Sequence, residues 1–172
     1  MLIRDASPAD AAVIARIRVD SWRVAYAGLI PQELLAGLSV EEGKANWSRA
    51  LSSIQPDRAV LVVEQDATPC GFAAFGPSRG GDPAEGEIFA IYLRPEAWRQ
   101  GLGAGLMAAA VGRLTEIGYR AAILWVLDSN DRACRFYEAM GWAGTGEEKI
   151  DRAFGSPLRE VAYRLRLTPP ND

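Results

Sequence analysis

Apolar and polar residues follow two different periods along the chain, and the change of period divides it into helices and strands. Before residue 59, apolar side chains recur every three or four positions, as along one face of an amphipathic helix. After a short strand over Met1–Arg4, this pattern predicts a helix capped by Ser7 that ends before Gly28. Two more helices are predicted, a short one over Gln32–Gly37 and a longer one capped by Ser39.

From residue 59 onward, short apolar runs separated by turn residues predict strands. The runs Ala59–Gln65 and Cys70–Phe75 are joined by the short turn Asp66–Pro69, which predicts an antiparallel hairpin. Residues 76–84 form a loop in this prediction. The next run, Ile88–Leu93, is continuously apolar with β-branched and aromatic residues, which is typical of a strand buried on both faces.

The remaining segments alternate between helix and strand. The predicted elements are a helix over Leu102–Ile117, a strand over Ala121–Val126, a helix from Asp128 to about Met140, and strands over Ala143–Ile150 and Glu160–Leu167. This order predicts an α/β sheet of mixed direction, in which the strand-helix-strand unit of residues 87–126 gives a parallel pair. Because no linker or repeat interrupts it, we predict one domain over residues 1–168, a loop over 151–159 and a frayed tail over 169–172.

The stretch between the central strand and the following helix carries a glycine pattern. Within Trp98–Gly105, glycines stand at positions 101, 103 and 105, where the helix begins. The first N–H groups of a helix have no partner inside it, and the peptide dipoles place partial positive charge there. Glycine lets a phosphate approach the backbone without meeting a Cβ atom. The stretch therefore predicts an anion-binding turn.

Other nucleotide sites share this logic, and so does a turn whose glycines serve chain geometry alone. A Walker A loop would need a lysine and a hydroxyl after the turn, and Gly105–Met107 offers neither. A dinucleotide fingerprint needs its glycines directly at the strand end, whereas residues 95–100 intervene here. Asp128 stands about where a ribose-binding carboxylate would lie, so a dinucleotide site remains an alternative.

Composition narrows the chemistry. The chain has 172 residues and no histidine, which excludes His-based triads and His-containing zinc sites. Cys70 and Cys134 are isolated and are predicted to be buried, unreactive thiols, and no metal site is predicted. The net charge of −3 disfavours a nucleic-acid partner. Without a signal-peptide pattern or an apolar run of about 20 residues, we expect a cytoplasmic protein and no membrane partner.

Two motifs together resemble the GNAT N-acetyltransferase superfamily. Ile91–Met107 resembles the family's acetyl-CoA pyrophosphate loop, and Asn130–Trp142 resembles its N-x-x-A-x-x-F-Y-x-x-x-G-F segment, in the family's order and with one strand between them. The resemblance implies acetyl-CoA as cosubstrate. It also implies a single α/β (α+β) domain with a mixed, mostly antiparallel sheet, helices on both faces, and a central parallel pair that splays apart to admit the cofactor.

The resemblance further implies the cofactor-binding residues. Pantetheine would pair with the backbone of Ile91, Tyr92 and Leu93, and Asn130 would contact the cofactor, although it is also a candidate helix cap. Amide groups would bind the pyrophosphate at Arg99, Gln100, Gly101, Leu102, Gly103 and Ala104. One position departs from the family, since Trp98 stands where Gln or Arg is usual.

Acetyl transfer needs an amine that has lost its proton, which costs about 4–5 kcal/mol at pH 7 for an alkyl amine. Glu87 stands where several family members place a general base, and Glu85 is a second candidate. A further family position for a base is Trp125 here, which favours Glu87. Tyr137 resembles the general acid that protonates the departing thiolate. A solvated carboxylate and a core tyrosine are the structural alternatives for these two residues.

The predicted function is N-acetyl transfer from acetyl-CoA to a primary amine of a small molecule or protein. The backbone N–H of Leu93 would receive the thioester oxygen's developing charge. Aromatic residues predicted to wall the acceptor pocket are Trp22, Tyr26, Trp47 and Phe89, and carboxylates that could attract a cationic amine are Asp20, Glu33 and Glu147. The alternatives are a catalytically silent CoA-binding sensor or interaction module and a dehydrogenase. A homodimer is expected from base rates.

Overall fold

The computed structural model describes residues 1–152 and 157–168, and the predicted tail over 169–172 and the middle of the predicted loop over 151–159 lie outside them. The strands are β1 (Leu2–Asp5), β2 (Ala59–Gln65), β3 (Thr68–Pro77), β4 (Glu85–Leu93), β5 (Ala121–Leu127), β6 (Ala143–Asp151) and β7 (Leu158–Arg166). The helices are α1 (Ala11–Ala25), α2 (Gln32–Ala36), α3 (Val40–Ser52), α4 (Leu102–Ile117) and α5 (Asp131–Ala139), with 3-10 turns at Pro8–Asp10 and Pro95–Ala97.

The described strands form one sheet in the order β1-β2-β3-β4-β5-β7-β6. Every neighbouring pair is antiparallel except β4 and β5, which are parallel and joined through α4. The predicted α/β domain with a mixed, mostly antiparallel sheet is confirmed.

The parallel pair separates part-way along its length. Residues 85–88 of β4 pair with residues 121–124 of β5, and the pairing stops there. Beyond that point β4 stays with β3 as far as Leu93, and β5 stays with β7 as far as Leu127. The carboxyl-terminal halves of the two strands therefore diverge, as the family resemblance implies, and leave a gap in the middle of the sheet.

A bulge in β4 lies at the point where the strands diverge. Phe75 of β3 faces Ile88 and Ala74 faces Ala90, so Phe89 has no partner on β3. The extra residue bends the strand and locally strengthens its twist. The continuous apolar pattern of Ile88–Leu93 gave no sign of this bulge.

Helices cover both faces of the sheet, and each face has its own core. Alternate residues of β2 serve the two sides: Leu61 and Val63 pack on the side of α4 and α5, and Val60 and Val62 pack on the side of α1 and α3. The residues 88, 91 and 93 of β4 belong to the first core, and residues 90 and 92 to the second.

Several element boundaries differ from the predicted ones. The hairpin turn consists of Asp66 and Ala67, both with positive φ, so β3 begins at Thr68. A two-residue turn of this conformation matches the twist of the flanking strands. The predicted loop over 76–84 is shorter, because β3 continues to Pro77 and the N–H of Ser78 donates to the carbonyl of Glu85 at 3.0 Å.

Candidate active site

The gap between β4 and β5 contains a cavity of about 1290 Å³. Residues of both cores line it: Ile91 and Leu93 from the α4 side, and Ala90 and Tyr92 from the α1 side. The cavity therefore passes through the sheet, and two molecules could enter it from opposite faces.

A row of unpaired backbone donors lies at one end of the cavity. From Arg99 to Ala104, none of the six N–H groups has an acceptor within the described part of the chain; the first bonded one is Gly105, which donates to the carbonyl of Gly101 at 3.1 Å. Arg99 and Gly101 have φ values of +60° and +79°, which turn successive N–H groups towards one another. This cradle, residues 99–104, is suited to a phosphate or pyrophosphate.

Two guanidinium groups accompany the cradle. Arg132, in the first turn of α5, stacks 3.6 Å from the ring centre of Trp98, and the Trp98 indole N–H donates to the carbonyl of Leu93 at 2.9 Å. Burial lowers the pKa of Arg132, and the nearby positive charge of Arg99 lowers it further. Both guanidiniums line the cavity and neither has a carboxylate partner among the described residues. Their convergence strengthens the positive potential of the cradle.

The backbone of β4 offers hydrogen-bonding groups to the gap. The N–H of Arg94 donates to the carbonyl of Cys70 on β3 at 2.8 Å. Because alternate residues of an antiparallel strand point their N–H and C=O groups to opposite neighbours, those of Ile91 and Leu93 point towards the gap. The backbone of Tyr92 points towards β3, and its side chain lines the cavity.

Tyr137 of α5 lines the cavity with a side chain that is 9% exposed. Its ring packs against Phe136, Trp142 and Tyr163, and no partner for its hydroxyl lies among the described residues. Burial, followed by the proximity of Tyr92, raises the pKa of Tyr137 well above its ordinary value. The hydroxyl is therefore protonated throughout the neutral range and free to donate.

Glu87 is held in an ion pair. Its carboxylate is 1% exposed and accepts from the backbone N–H of Arg79 at 2.9 Å, from Nε of Arg79 at 3.0 Å, and from Nη2 of the same side chain. Arg79 lines the cavity and Glu87 does not. The other candidate, Glu85, accepts from the Ser78 hydroxyl and is paired with Arg164 at 2.8 Å, also away from the cavity.

Asn130 caps α5 and also faces the cavity. Its Oδ1 accepts from the N–H of Ala133 at 3.2 Å, which satisfies one of the free donors of the helix. The helix begins at Asp131 rather than at the predicted Asp128, and Asp128 pairs with Arg159. The capping function leaves the amide nitrogen of Asn130 without a partner in residues 1–152 and 157–168.

Three further residues of the predicted anion-binding turn do not line the cavity: Gln100, Leu102 and Gly105. Gln100 bonds through its side chain to Gln65 and Glu96, and Leu102 is buried in the α4 core. A Cβ on Gly105 would lie 2.9 Å from Cε of Met1, and Gly105 does not line the cavity.

On the α1 side, the aromatic residues predicted to wall the acceptor pocket all line the cavity: Trp22, Tyr26, Trp47 and Phe89. The carboxylates Asp20, Glu33 and Glu147 do not line it. The acidic side chains that do are Asp151 and Glu160, and Glu160 lies 3.2 Å from Nζ of Lys149.

Comparison with known proteins identifies the family. The model of the Acetyltransferase (GNAT) family matches residues 19–142. Over 161 residues the chain is 34% identical to the uncharacterized N-acetyltransferase YuaI of Bacillus subtilis, covering 92% of this chain and 89% of that protein. The chain belongs to the GNAT family.

Solved GNAT structures share the fold. A GCN5-related N-acetyltransferase from Rhodopseudomonas palustris superposes with a TM-score of 0.76 at 22% identity, covering 96% of this chain and 95% of that one. The PaiA N-acetyltransferase of Thermoplasma acidophilum, solved with coenzyme A, gives a TM-score of 0.69 at 22% identity, over 96% and 98% of the two chains. At these identities the likeness concerns the fold alone.

Membership in the GNAT family confirms the sequence resemblance and makes the chain an acyltransferase, which argues against a dehydrogenase. The described residues contain no cluster of His, Cys, Asp or Glu suited to a metal ion, and none of the described helices could span a membrane. Cys70 is buried as predicted, whereas Cys134 is half-buried; burial raises the pKa of both thiols.

Sequence reasoning missed six charged residues that face the cavity: Arg18, Arg79, Arg132, Lys149, Asp151 and Glu160. Each stands among ordinary surface charges in the sequence, and only the fold brings it to the gap. Arg132, inside the second family motif, had the one detectable signal, since it opens the helix that Asn130 caps.

Proposed function

We propose that this GNAT protein transfers the acetyl group of acetyl-CoA directly to a primary amine of a small molecule or protein. The observation that carries this proposal is the cradle, whose six N–H groups have no acceptor among the described residues, at one end of a cavity that crosses the sheet. A pyrophosphate at the cradle would direct the rest of the cofactor along β4, where Ile91 and Leu93 offer backbone groups. The acceptor would then enter from the opposite face, beside α1.

In this proposal, the cradle amides, Arg99 and Arg132 bind the pyrophosphate, and Asn130 contacts the cofactor with its amide nitrogen. The amine nitrogen forms a bond to the acetyl carbon, and the carbon–sulfur bond breaks. The Leu93 N–H, fixed in direction by the strand, stabilises the thioester oxygen while it gains negative charge. Tyr137 donates a proton to the departing thiolate.

The amine must also lose a proton, and we propose Glu87 as the group that ultimately accepts it. Its contacts with Arg79 stabilise the charged carboxylate, so a water or a movement of Arg79 has to connect it with the cavity. The Arg79 side chain is 60% exposed, which allows such a movement.

Thermal unfolding with acetyl-CoA, CoA, NAD and ATP tests the cofactor, and thiol release over a panel of amines tests the reaction. We expect acetyl-CoA and CoA to raise the melting temperature, because they bind the folded state, and we expect NAD and ATP to leave it unchanged. We also expect thiol release to require both acetyl-CoA and an amine.

Two glycines of α4 provide a matched pair for the cradle. Gly103 lines the cavity, while a Cβ on Gly112 would meet nothing within 4 Å. Gly103→Val should weaken acetyl-CoA binding at least about tenfold, because its side chain would occupy part of the cavity beside Leu93 and Phe136. Gly112→Ala should leave binding unchanged. Binding of acetyl-CoA without amine-dependent thiol release would instead indicate a silent CoA-binding module.

A cytoplasmic location and a homodimer stay predictions. Light scattering during gel filtration would measure the mass in solution, and a monomer at all concentrations would contradict the homodimer.

A further inference from the structure

The acceptor half of the cavity has a distinctive charge pattern. It lies on the α1 side of the sheet, where Trp22, Tyr26 and Trp47 supply aromatic walls. Most charges at this end are already paired: Arg79 binds Glu87, and Lys149 lies 3.2 Å from Glu160 and 4.2 Å from the ring centre of Trp125.

Arg18 differs from these residues. It is half-buried on the inner face of α1 and lines the cavity, and no carboxylate within the described ranges lies at ion-pair distance from it. Its guanidinium stacks over Trp22, 4.6 Å from the ring centre. The indole face restricts the side chain without using its N–H donors, so the fork of donors stays available.

Arg18 also lies close to the proposed reaction centre. Its guanidinium stacks on Trp22, and the ring centre of Trp22 lies 6.2 Å from that of Tyr92. Tyr92 belongs to the divergent half of β4, between the two residues whose backbone faces the gap. A ligand that contacts Arg18 therefore needs to extend only a short way to bring a second group to the gap.

We propose that Arg18 binds a carboxylate of the acceptor, so that the acceptor is a small amine with a carboxylate next to the amino group and an apolar side chain, as in an α-amino acid. A planar guanidinium can bind a carboxylate through two parallel hydrogen bonds, which fixes orientation as well as position. The aromatic walls accommodate the apolar side chain. This inference rests on the proposed function, which supplies that the acetyl group is transferred to an amine.

The test compares acceptors that differ only at the carboxylate. L-phenylalanine, L-leucine and L-methionine are measured against their carboxamides, with thiol release as the readout. Wild type, Arg18→Gln, Arg18→Lys and Arg16→Gln are compared; Arg16 is exposed on the same helix and does not line the cavity. Because each ratio between variant and wild type uses the same amine, differences in amine basicity cancel.

We expect Arg18→Gln to lower kcat/KM for the free amino acids by about 10- to 100-fold, because a charge-assisted contact is lost. For the carboxamides, kcat/KM should change less than about threefold. Arg18→Lys should recover part of the loss, and Arg16→Gln should match wild type. The melting temperature and acetyl-CoA affinity of each variant verify that the fold and cofactor site are intact.

A loss that is equal for amino acids and carboxamides would overturn the carboxylate assignment while leaving acetyl transfer in place. If no amine is acetylated although acetyl-CoA binds, calorimetric titration of the same amino acids into the CoA complex separates the two proposals. Binding that Arg18→Gln abolishes would support the carboxylate site and contradict the proposed reaction. Absence of binding to wild type would overturn the site.

Discussion

The Tyr137 hydroxyl combines a protonated state with a position at the cavity wall. Its ring is fixed by aromatic neighbours, so removing the oxygen atom alone should leave the wall in place. Tyr163 is a neighbour of similar burial whose hydroxyl donates to Glu138 at 3.0 Å, away from the cavity.

We predict that Tyr137→Phe lowers kcat about 100-fold, because a positioned acid contributes on that scale, while the Kd for acetyl-CoA is unchanged. Tyr163→Phe should keep kcat within about twofold, although it loses a hydrogen bond and some stability. Steady-state kinetics and calorimetric titration measure both. A Tyr137→Phe enzyme with full kcat across pH would remove Tyr137 as the acid.

Glu87 is the proposed acceptor of the amine proton, and its carboxylate is already paired with Arg79. We predict that Glu87→Gln lowers kcat/KM about 100-fold at pH 7, and that the loss shrinks towards pH 10, where more of the amine is deprotonated in solution. The matched control is Glu85→Gln, two residues along the same strand and paired with Arg164. Parallel pH profiles for wild type and Glu87→Gln would exclude the base.

At the scale of elements, the packing of α4 on β4 depends on one small residue. A Cβ on Gly86 would lie 2.6 Å from Cδ2 of Leu114 and 3.0 Å from the ring of Tyr119. Leu114 is fully buried and cannot move aside without disturbing the core. The glycine thus lets the C-terminal half of α4 approach the strand just before the parallel pair diverges.

We predict that Gly86→Ala destabilises the protein by about 1–3 kcal/mol through overpacking. Gly112→Ala, in an exposed position of α4 with free space around a Cβ, should stabilise it by about 0.5–1 kcal/mol through helix propensity. Urea unfolding of both variants measures these opposite changes in the free energy of unfolding. Equal free energies of unfolding for Gly86→Ala and wild type would contradict the close packing.

The central strand shows how far sequence reasoning reaches for an element. Its burial and its parallel partner could be predicted, because a continuous apolar run and a crossover helix are local features. The bulge at Phe89 could not, since apolar residues on both faces leave no polar position to mark the change of register.

At the scale of the whole molecule, a buried carboxylate ties the start of the chain to the sheet. Asp10 accepts two hydrogen bonds from Arg4 of β1, each 2.8 Å long, and one from the N–H of Ser7 at 2.7 Å. Arg4 also pairs with Glu64 of β2 at 2.7 Å. The hydrogen bonds from Arg4 hold the pKa of Asp10 well below its usual range, against the effect of burial.

Because the pKa of Asp10 is lower in the folded than in the unfolded state, its stabilisation is fully present above the unfolded value of about 4 and is lost as the pH falls below it. We predict that Asp10→Asn costs about 2 kcal/mol at pH 7 and less at pH 2.5, where the unfolded state already binds the proton. Urea unfolding at both pH values measures the difference.

Asp20, on α1 and without an ion pair in the described portion of the chain, supplies the control as Asp20→Asn. Its effect should be small and equal at both pH values. A cost of Asp10→Asn that does not change with pH would contradict the assignment.

The sequence by itself determined the order and type of the elements, the parallel pair, the glycine-rich turn before α4 and the family. These depend on hydrophobic period, capping residues and glycine spacing, which act over a few neighbouring residues and are therefore legible along the chain. The sequence predicts Ser7 as a cap, for example, and in the structure the Asp10 carboxylate, three residues later, accepts from the backbone N–H and the hydroxyl of Ser7.

Only the tertiary structure decided which charges meet. Arg79 pairs with Glu87 because the short loop after β3 returns beside β4. Arg132 of α5 stacks on Trp98, which precedes α4. Arg18 lines the gap because α1 packs across the sheet. The side chains that make these contacts look like ordinary surface charges in the sequence. Their partners are chosen by packing of whole elements, and no local pattern records that choice.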